Sequence, residues 1–233
     1  IAGLSSSRPD RSSRSSRPDR SSRSSRPDRS SRSSRPDSSS RSSRPADILI
    51  PVNEDQVEQE LHEALGSSQR LGFLGDRPIV EVIEHARAFV TALDGVSGSV
   101  IDLGAGGGVP GLVLAVDRPD LAITLLDRRT KRTDFLARIV RRMRLDHVTV
   151  VAADVDDAIR QGHIGFDAVV ARGFGPPDFT LRTGVRCLGE PGVIVISEPP
   201  TGDRWDADLI ESLGLVRVPS DSRVVCFSRK LDS

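Results

Sequence analysis

From residue 98 onward, apolar and polar positions fall into two alternating rhythms. Short, mainly apolar runs, Val100-Ile101, Ala122-Ile123-Thr124-Leu125-Leu126, Val148-Thr149-Val150-Val151, Phe166-Asp167-Ala168-Val169-Val170-Ala171 and Val193-Ile194-Val195-Ile196, have the length and composition of buried parallel strands. Between them lie stretches with apolar residues every three or four positions, as in a helix packed on one face. Leu112–Val116 opens one such stretch. Thr130–Met143 forms another, with Phe135, Leu136, Ile139, Val140 and Met143 inward. Asp203–Leu213 reads as a further helix, and Leu215–Val218 with Val224–Ser228 as a closing hairpin. This alternation predicts an α/β domain over 98–233, a Rossmann-like doubly wound sheet of seven strands.

The segment 46–97 has helical spacing only. Asp47–Pro51 reads as extended. A helix is expected from Glu54 to Leu65, stopped by Gly66 and two serines. A second begins near Pro78, a favoured first-turn residue, with Ile79, Val82, Ile83, Ala86, Phe89, Val90 and Leu93 in one stripe. Both should pad the main sheet. His85, on the second helix, is read as an ordinary helix histidine, with a substrate contact as the alternative.

Residues 1–45 follow neither rhythm. Arg-Pro pairs recur at 8, 17, 26, 35 and 44 in a nine-residue repeat of serine, arginine, proline and aspartate. Such a segment cannot bury enough apolar area to offset chain entropy and is expected to be disordered. It binds RNA through phosphate charge, or it is a repeat expansion or misassigned start without function. The formal net charge of +0 conceals its effect: 12 Arg and 4 Asp give residues 1–45 a charge of +8, so the remainder carries −8.

The chain begins at Ile1 rather than methionine, which leaves its natural start open, and Ile1–Leu4 is far too short for the apolar core of a secretory signal. No apolar run approaches the ~20 residues of a membrane span. Two cysteines, Cys187 and Cys226, suggest a reducing cytoplasm rather than a disulfide framework. No Cys/His cluster has metal spacing, so no metal is expected, and a monomer is expected.

The chemistry concentrates at Val100–Gly111, where the first strand runs into Asp102-Leu103-Gly104-Ala105-Gly106-Gly107-Gly108-Val109-Pro110-Gly111. Glycines at the strand-to-helix turn let backbone approach a ligand. Asp127 follows Gly108 by 19 positions, at the end of the second strand, where a carboxylate can accept from ribose hydroxyls. Residues 106–111 also fit the dinucleotide pattern G-x-G-x-x-G. Asp102 ahead of the first glycine favours S-adenosylmethionine, since it can face an amino group but would repel a pyrophosphate. Gly104, Gly106, Gly108 and Val109 are the expected turn contacts. Asp154 is placed to take the adenine amino group, or alternatively to cap a helix. The backbone of Val155 and Asp156 should meet the ring edge. Arg172, following the fourth strand, can hold the cofactor carboxylate or a substrate phosphate.

Ile101–Leu114, Leu125-Leu126-Asp127 with Lys131-Arg132 and Phe135-Leu136, and Ala171-Arg172-Gly173-Phe174 resemble the bacterial small-subunit (16S) ribosomal RNA guanine-N7 methyltransferases, the glucose-inhibited division protein B type. The Val109-Pro110-Gly111 triplet is the most distinctive part. The likeness covers roughly residues 70 to 198 and implies a seven-stranded methyltransferase fold, S-adenosylmethionine and ribosomal RNA.

The residues are consistent with that acceptor. The [Asp/Asn]-Pro-Pro-[Tyr/Phe] motif of amino-group methyltransferases is missing after the fourth strand. A lone pair at guanine N7 needs no general base, so positioning suffices and no catalytic acid or base is expected. Phe174 and Phe179 are the candidate stacking residues. One departure is Ser197-Glu198, where the resembling family has lysine-glycine; a glutamate there would repel RNA phosphate. The cations Arg128, Arg129, Lys131, Arg132, Arg138, Arg141, Arg142 and Arg144 form either a solvated helix face or a phosphate-contacting ridge. A small-molecule or protein methyltransferase, a non-catalytic cofactor- or RNA-binding relative, and a nicotinamide oxidoreductase remain the competing readings.

Overall fold

The computed structural model describes residues 54–199, 204–220 and 223–230, all within one compact unit, Ile50–Ser233. The expectations for the repeat and for Asp47–Pro51 lie outside the described residues.

Two helices, α1 (Glu54–Arg70) and α2 (Ile79–Ala92), precede the sheet. Strand and helix then alternate: β1 (Ser99–Leu103), α3 (Gly111–Asp117), β2 (Ala122–Asp127), α4 (Thr130–Arg142), β3 (Val148–Ala152), α5 (Val155–Arg160), β4 (Phe166–Ala171), α6 (Pro177–Cys187) and β5 (Leu188–Ser197). Helix α7 (Ala207–Ser212) leads to the hairpin β6 (Leu215–Val218) and β7 (Val224–Arg229). The seven-stranded sheet has the order β3-β2-β1-β4-β5-β7-β6. Strands β1 to β5 are parallel, and β7 runs antiparallel to both β5 and β6. Strand order reverses between β1 and β4, so a crevice opens beyond their carboxyl ends.

The central strands are buried on both faces, which is why they read as continuous apolar runs. Successive residues of β1 serve opposite layers: Val100 packs with Leu61, Phe89 and Leu112, while Ile101 and Leu103 pack with Leu181, Trp205 and Phe227. Each of the large side chains buried here contributes ~1.5–3 kcal/mol. Asp102 points to the same side as Val100, towards α3.

Three boundaries differ from those expected. Helix α1 does not stop at Gly66 but runs on to Arg70. An interior glycine costs a helix ~1 kcal/mol; here Ser67 bonds back to the Glu63 carbonyl (2.9 Å), and buried Ser68 donates to the Gly107 carbonyl (2.8 Å). Strand β5 begins at Leu188, earlier than expected, because a register shift opposite Phe166/Ala168 accommodates Gly189–Gly192. Helix α7 starts only at Ala207, where the Asp206 side chain accepts from Leu209 N–H (2.9 Å).

Candidate functional site

The glycine turn is built on Asp102. Its side chain is fully buried, and Oδ2 accepts from Gly111 N–H (2.9 Å) at the N-terminus of α3. Oδ1 is buried without a partner. Burial raises the Asp102 pKa to about 7; the Gly111 N–H and the charge of Arg172 oppose the shift, and the charge of Asp127 adds to it. Gly104, Gly106 and Gly108 all have positive φ, at 70°, 54° and 98°. The path of the turn therefore requires residues without a Cβ.

Asp127 ties this turn to the next helix. Oδ2 accepts from Gly106 N–H (3.0 Å), Oδ1 accepts from Arg129 N–H (2.8 Å), and Arg132 Nη1 lies 3.5 Å from Oδ2. These structural bonds were not foreseen from sequence; only the through-space approach of β2 to the turn creates them. Carboxylate oxygens have further lone pairs, so Asp127 retains capacity for a ligand.

A cavity of about 380 Å³ opens in front of these groups. Gly104, Asp127, Asp154, Val155 and Phe174 line it, as do Arg128, Arg129, Arg132 and Phe179. The rings of Phe174 and Phe179 stack at 5.5 Å and 24°. A Cβ at Gly104 would come within 2.9 Å of the Phe174 ring, so only glycine lets the aromatic wall approach so closely.

Other expected contacts lie elsewhere. Gly106, Gly108 and Val109 stand behind the lining, Gly106 through its bond to Asp127 and Val109 in the apolar core. Asp154 caps α5 by accepting from Asp156 N–H (3.1 Å), the alternative weighed for it, while still lining the cavity. That bond occupies Asp156 N–H, and the Asp156 side chain turns to Arg186 (2.7 Å), so Asp156 does not face the cavity. Arg172 lines a second cavity, of about 680 Å³, separated from the first by Gly173-Phe174-Gly175. His85 lines the second cavity as well.

The eight cations around α4 do not form one outward ridge. Arg128, Arg129 and Arg132 line the first cavity, and Arg132 also lies over the Phe73 ring at 5.9 Å. Lys131, Arg138, Arg141, Arg142 and Arg144 are exposed and do not line that cavity, so the helical turn divides the cluster into two groups.

The residues fit a nucleoside cofactor. An unsatisfied carboxylate oxygen lies beneath the turn, an acidic side chain stands at the end of β2, and Gly104 brings the turn to the cavity wall.

Residues 63–198, more than half of the chain, match the family described as rRNA small subunit methyltransferase G (GidB). The chain belongs to this family. Its relatives include the ribosomal RNA small subunit methyltransferase G of Mycolicibacterium smegmatis, 32% identical over 69% of each chain. That of Thermobifida fusca is 33% identical over 60% of this chain and 59% of its own length. That of Neisseria meningitidis is 39% identical over 44% of this chain and 50% of its own. The chain thus spans between half and three fifths of the length of these last two relatives.

Solved structures show the same fold at low identity. Cofactor-bound Rv0187 from MTB superposes with TM-score 0.55 at 16% identity, over 79% of this chain and 94% of the other. A methyltransferase from Geobacter sulfurreducens gives 0.51 at 15%, over 77% and 98%. The seven-stranded sheet with flanking helices is therefore a fold shared with these structures.

Within this family member the charge of Glu198 is met locally. Trp205 Nε1 donates to it, and Arg204 lies 3.4 Å away. The repulsion expected from an isolated glutamate is thereby offset.

Proposed function

We propose that this chain transfers a methyl group from S-adenosylmethionine to N7 of a guanine in small-subunit ribosomal RNA. The observation that carries this reading is a single cavity in which Asp127 and the glycine turn share a lining with a stacked pair of phenylalanines. Family membership supports the same chemistry.

S-adenosylmethionine supplies an electrophilic sulfonium methyl when bound. Asp127 and the Gly104 backbone hold its nucleoside, with Asp154 and Val155 at the adenine end. The buried Asp102 lines neither cavity; its part is to fix the turn through Gly111. Phe174 and Phe179 offer a surface on which an unstacked base can lie. Arg128, Arg129 and Arg132 bring positive charge to the same opening, where RNA phosphates gather.

Guanine N7 presents its lone pair in the ring plane and loses no proton on methylation. None of these residues therefore has to act as a base. Their work is orientation and exclusion of water, which accounts for roughly 7–11 kcal/mol in well-oriented reactions. The protein is proposed to act as a monomer in the cytoplasm without a metal. The two buried free thiols fit a reducing compartment.

The test is to map N7-methylguanosine in ribosomal RNA from cells with and without this protein, then restore the modification with purified protein and S-adenosylmethionine. Loss and restoration at one guanine is the expected result. An identical methylation pattern in both cells, with no transfer in vitro, would overturn the reading.

A further inference from the structure

The second cavity is walled by residues far apart in sequence. Arg77 comes from the loop before α2, Arg172 from the end of β4, Arg204 from the segment before α7, and Arg223 from the start of β7. Two carboxylates, Glu81 and Glu198, oppose these four guanidinium groups, so positive charge is in excess.

The four arginines are not equivalent. Arg223 donates to the Glu84 carbonyl (3.1 Å). Arg204 is held on three sides: Nη2 donates to the Ser197 carbonyl (2.8 Å), Nε lies 3.4 Å from Glu198, and the guanidinium lies 4.9 Å over the Trp205 ring. Trp205 in turn donates through Nε1 to Glu198, so one carboxylate fixes both the ring and the arginine above it. Arg77 and Arg172 are different: among the described residues, no carboxylate forms an ion pair with either. Arg172 is half-buried; burial and the like charge of Arg77 lower its pKa, and the charge of Asp102 opposes them. A partly buried guanidinium beside a like charge and without an ion-pair partner, as at Arg172, is costly unless an anion joins it. Guanidinium groups suit phosphate oxygens because their donors are planar and paired.

Phe174 belongs to the wall of both cavities. A nucleotide whose base lies on the Phe174–Phe179 pair therefore has this cationic cavity on the other side of the same wall.

We propose that the second cavity binds a phosphodiester of the RNA next to the target guanine through Arg77, Arg172 and Arg204, with Glu198 and Trp205 positioning Arg204. This inference rests on the reading of the chain as a ribosomal RNA methyltransferase. It adds a phosphate subsite and assigns Glu198 a supporting part there.

The experiment compares the full chain with Arg204→Gln and Arg204→Lys variants. The probes are a small-subunit ribosomal RNA transcript titrated across salt concentration, and S-adenosylhomocysteine titrated by calorimetry. Arg204→Gln should lower the slope of log K against log salt by about 0.7–0.9. It should weaken RNA binding at low salt about tenfold, the scale of one charge-assisted hydrogen bond. Arg204→Lys should keep most of the slope, and S-adenosylhomocysteine affinity should be unchanged in both variants. Circular dichroism establishes that each variant is folded; if Arg204→Gln is not, Arg77→Gln, in an exposed loop, reads the same slope. An unchanged slope in a folded variant overturns the proposal. So does loss of S-adenosylhomocysteine affinity, which would assign the cavity to the cofactor carboxylate. If the parent protein neither binds the transcript nor methylates it, the methyltransferase reading has failed instead, and the phosphate subsite falls with it.

Discussion

At the scale of single residues, the site depends on two buried carboxylates with opposite situations. Each oxygen of Asp127 accepts one backbone N–H and keeps a further lone pair, whereas Asp102 has one partner and one orphan oxygen. Asp127→Ala should weaken S-adenosylmethionine binding by about 1.5–3 kcal/mol, the scale of hydrogen bonds to a charged group. Because Asp127 also anchors Gly106, the variant should lose thermal stability too. Calorimetry showing full affinity would remove Asp127 from the site. Asp102 makes a prediction in pH. Its folded-state pKa of about 7 lies above its ordinary value of 3.8, so the folded protein retains a proton that the unfolded chain has released. Stability from that proton is fully present below about pH 4 and is lost as pH rises through about 7, by up to about 4 kcal/mol. Unfolding midpoints of the cofactor-free protein from pH 4 to 8 should therefore fall more steeply than those of Asp102→Asn. Parallel curves would show that Asp102 is ionised throughout.

At the scale of elements, the glycine turn is a junction between α1 and the sheet. A Cβ at Gly107 would come within 2.5 Å of Ser68 Oγ and 2.6 Å of Leu74 Cγ. Gly107→Ala should cost about 1–3 kcal/mol by overpacking. Hydrogen exchange should show the loss concentrated in α1; uniform destabilisation would mean that the helix docks independently of the turn. The cations leading into helix α4 and those on its later turns have different surroundings. Arg128 and Arg129 line the first cavity, so replacing both with alanine should flatten the salt dependence of RNA binding and reduce cofactor affinity as well. Replacing Arg138 and Arg141, exposed on the later turns, should leave cofactor affinity unchanged. Equal effects of the two pairs on calorimetric affinity would contradict this division.

At the scale of the molecule, opposite net charges separate residues 1–45 from the remainder. The repeat has no apolar positions with which to dock. Removing it should leave the unfolding midpoint of the domain within about 1 °C of the parent, because a segment without docking contacts contributes well under ~0.5 kcal/mol, and 1 kcal/mol moves the midpoint of a domain this size by ~2–4 °C. A large fall in the midpoint would show that the repeat packs on the domain.

The sequence alone determined the sheet, its five parallel strands, the closing hairpin and the position of the glycine turn. These features are local or periodic: apolar runs, glycine where φ must be positive, and an acidic residue a set distance downstream. It also contained Asp127, Asp154, Val155 and the Phe174–Phe179 pair, because strand ends in a doubly wound sheet converge on one crevice. Tertiary structure decided what distance along the chain cannot encode. It carried α1 through Gly66 by giving Ser68 a partner 39 positions away, and it turned Asp156 outward to Arg186. It split the basic cluster between the cavity and the surface, and it brought Arg77, Arg172, Arg204 and Arg223 around a second cavity. Those outcomes depend on which side chains meet across elements, and that is settled only when the sheet and its covering helices pack.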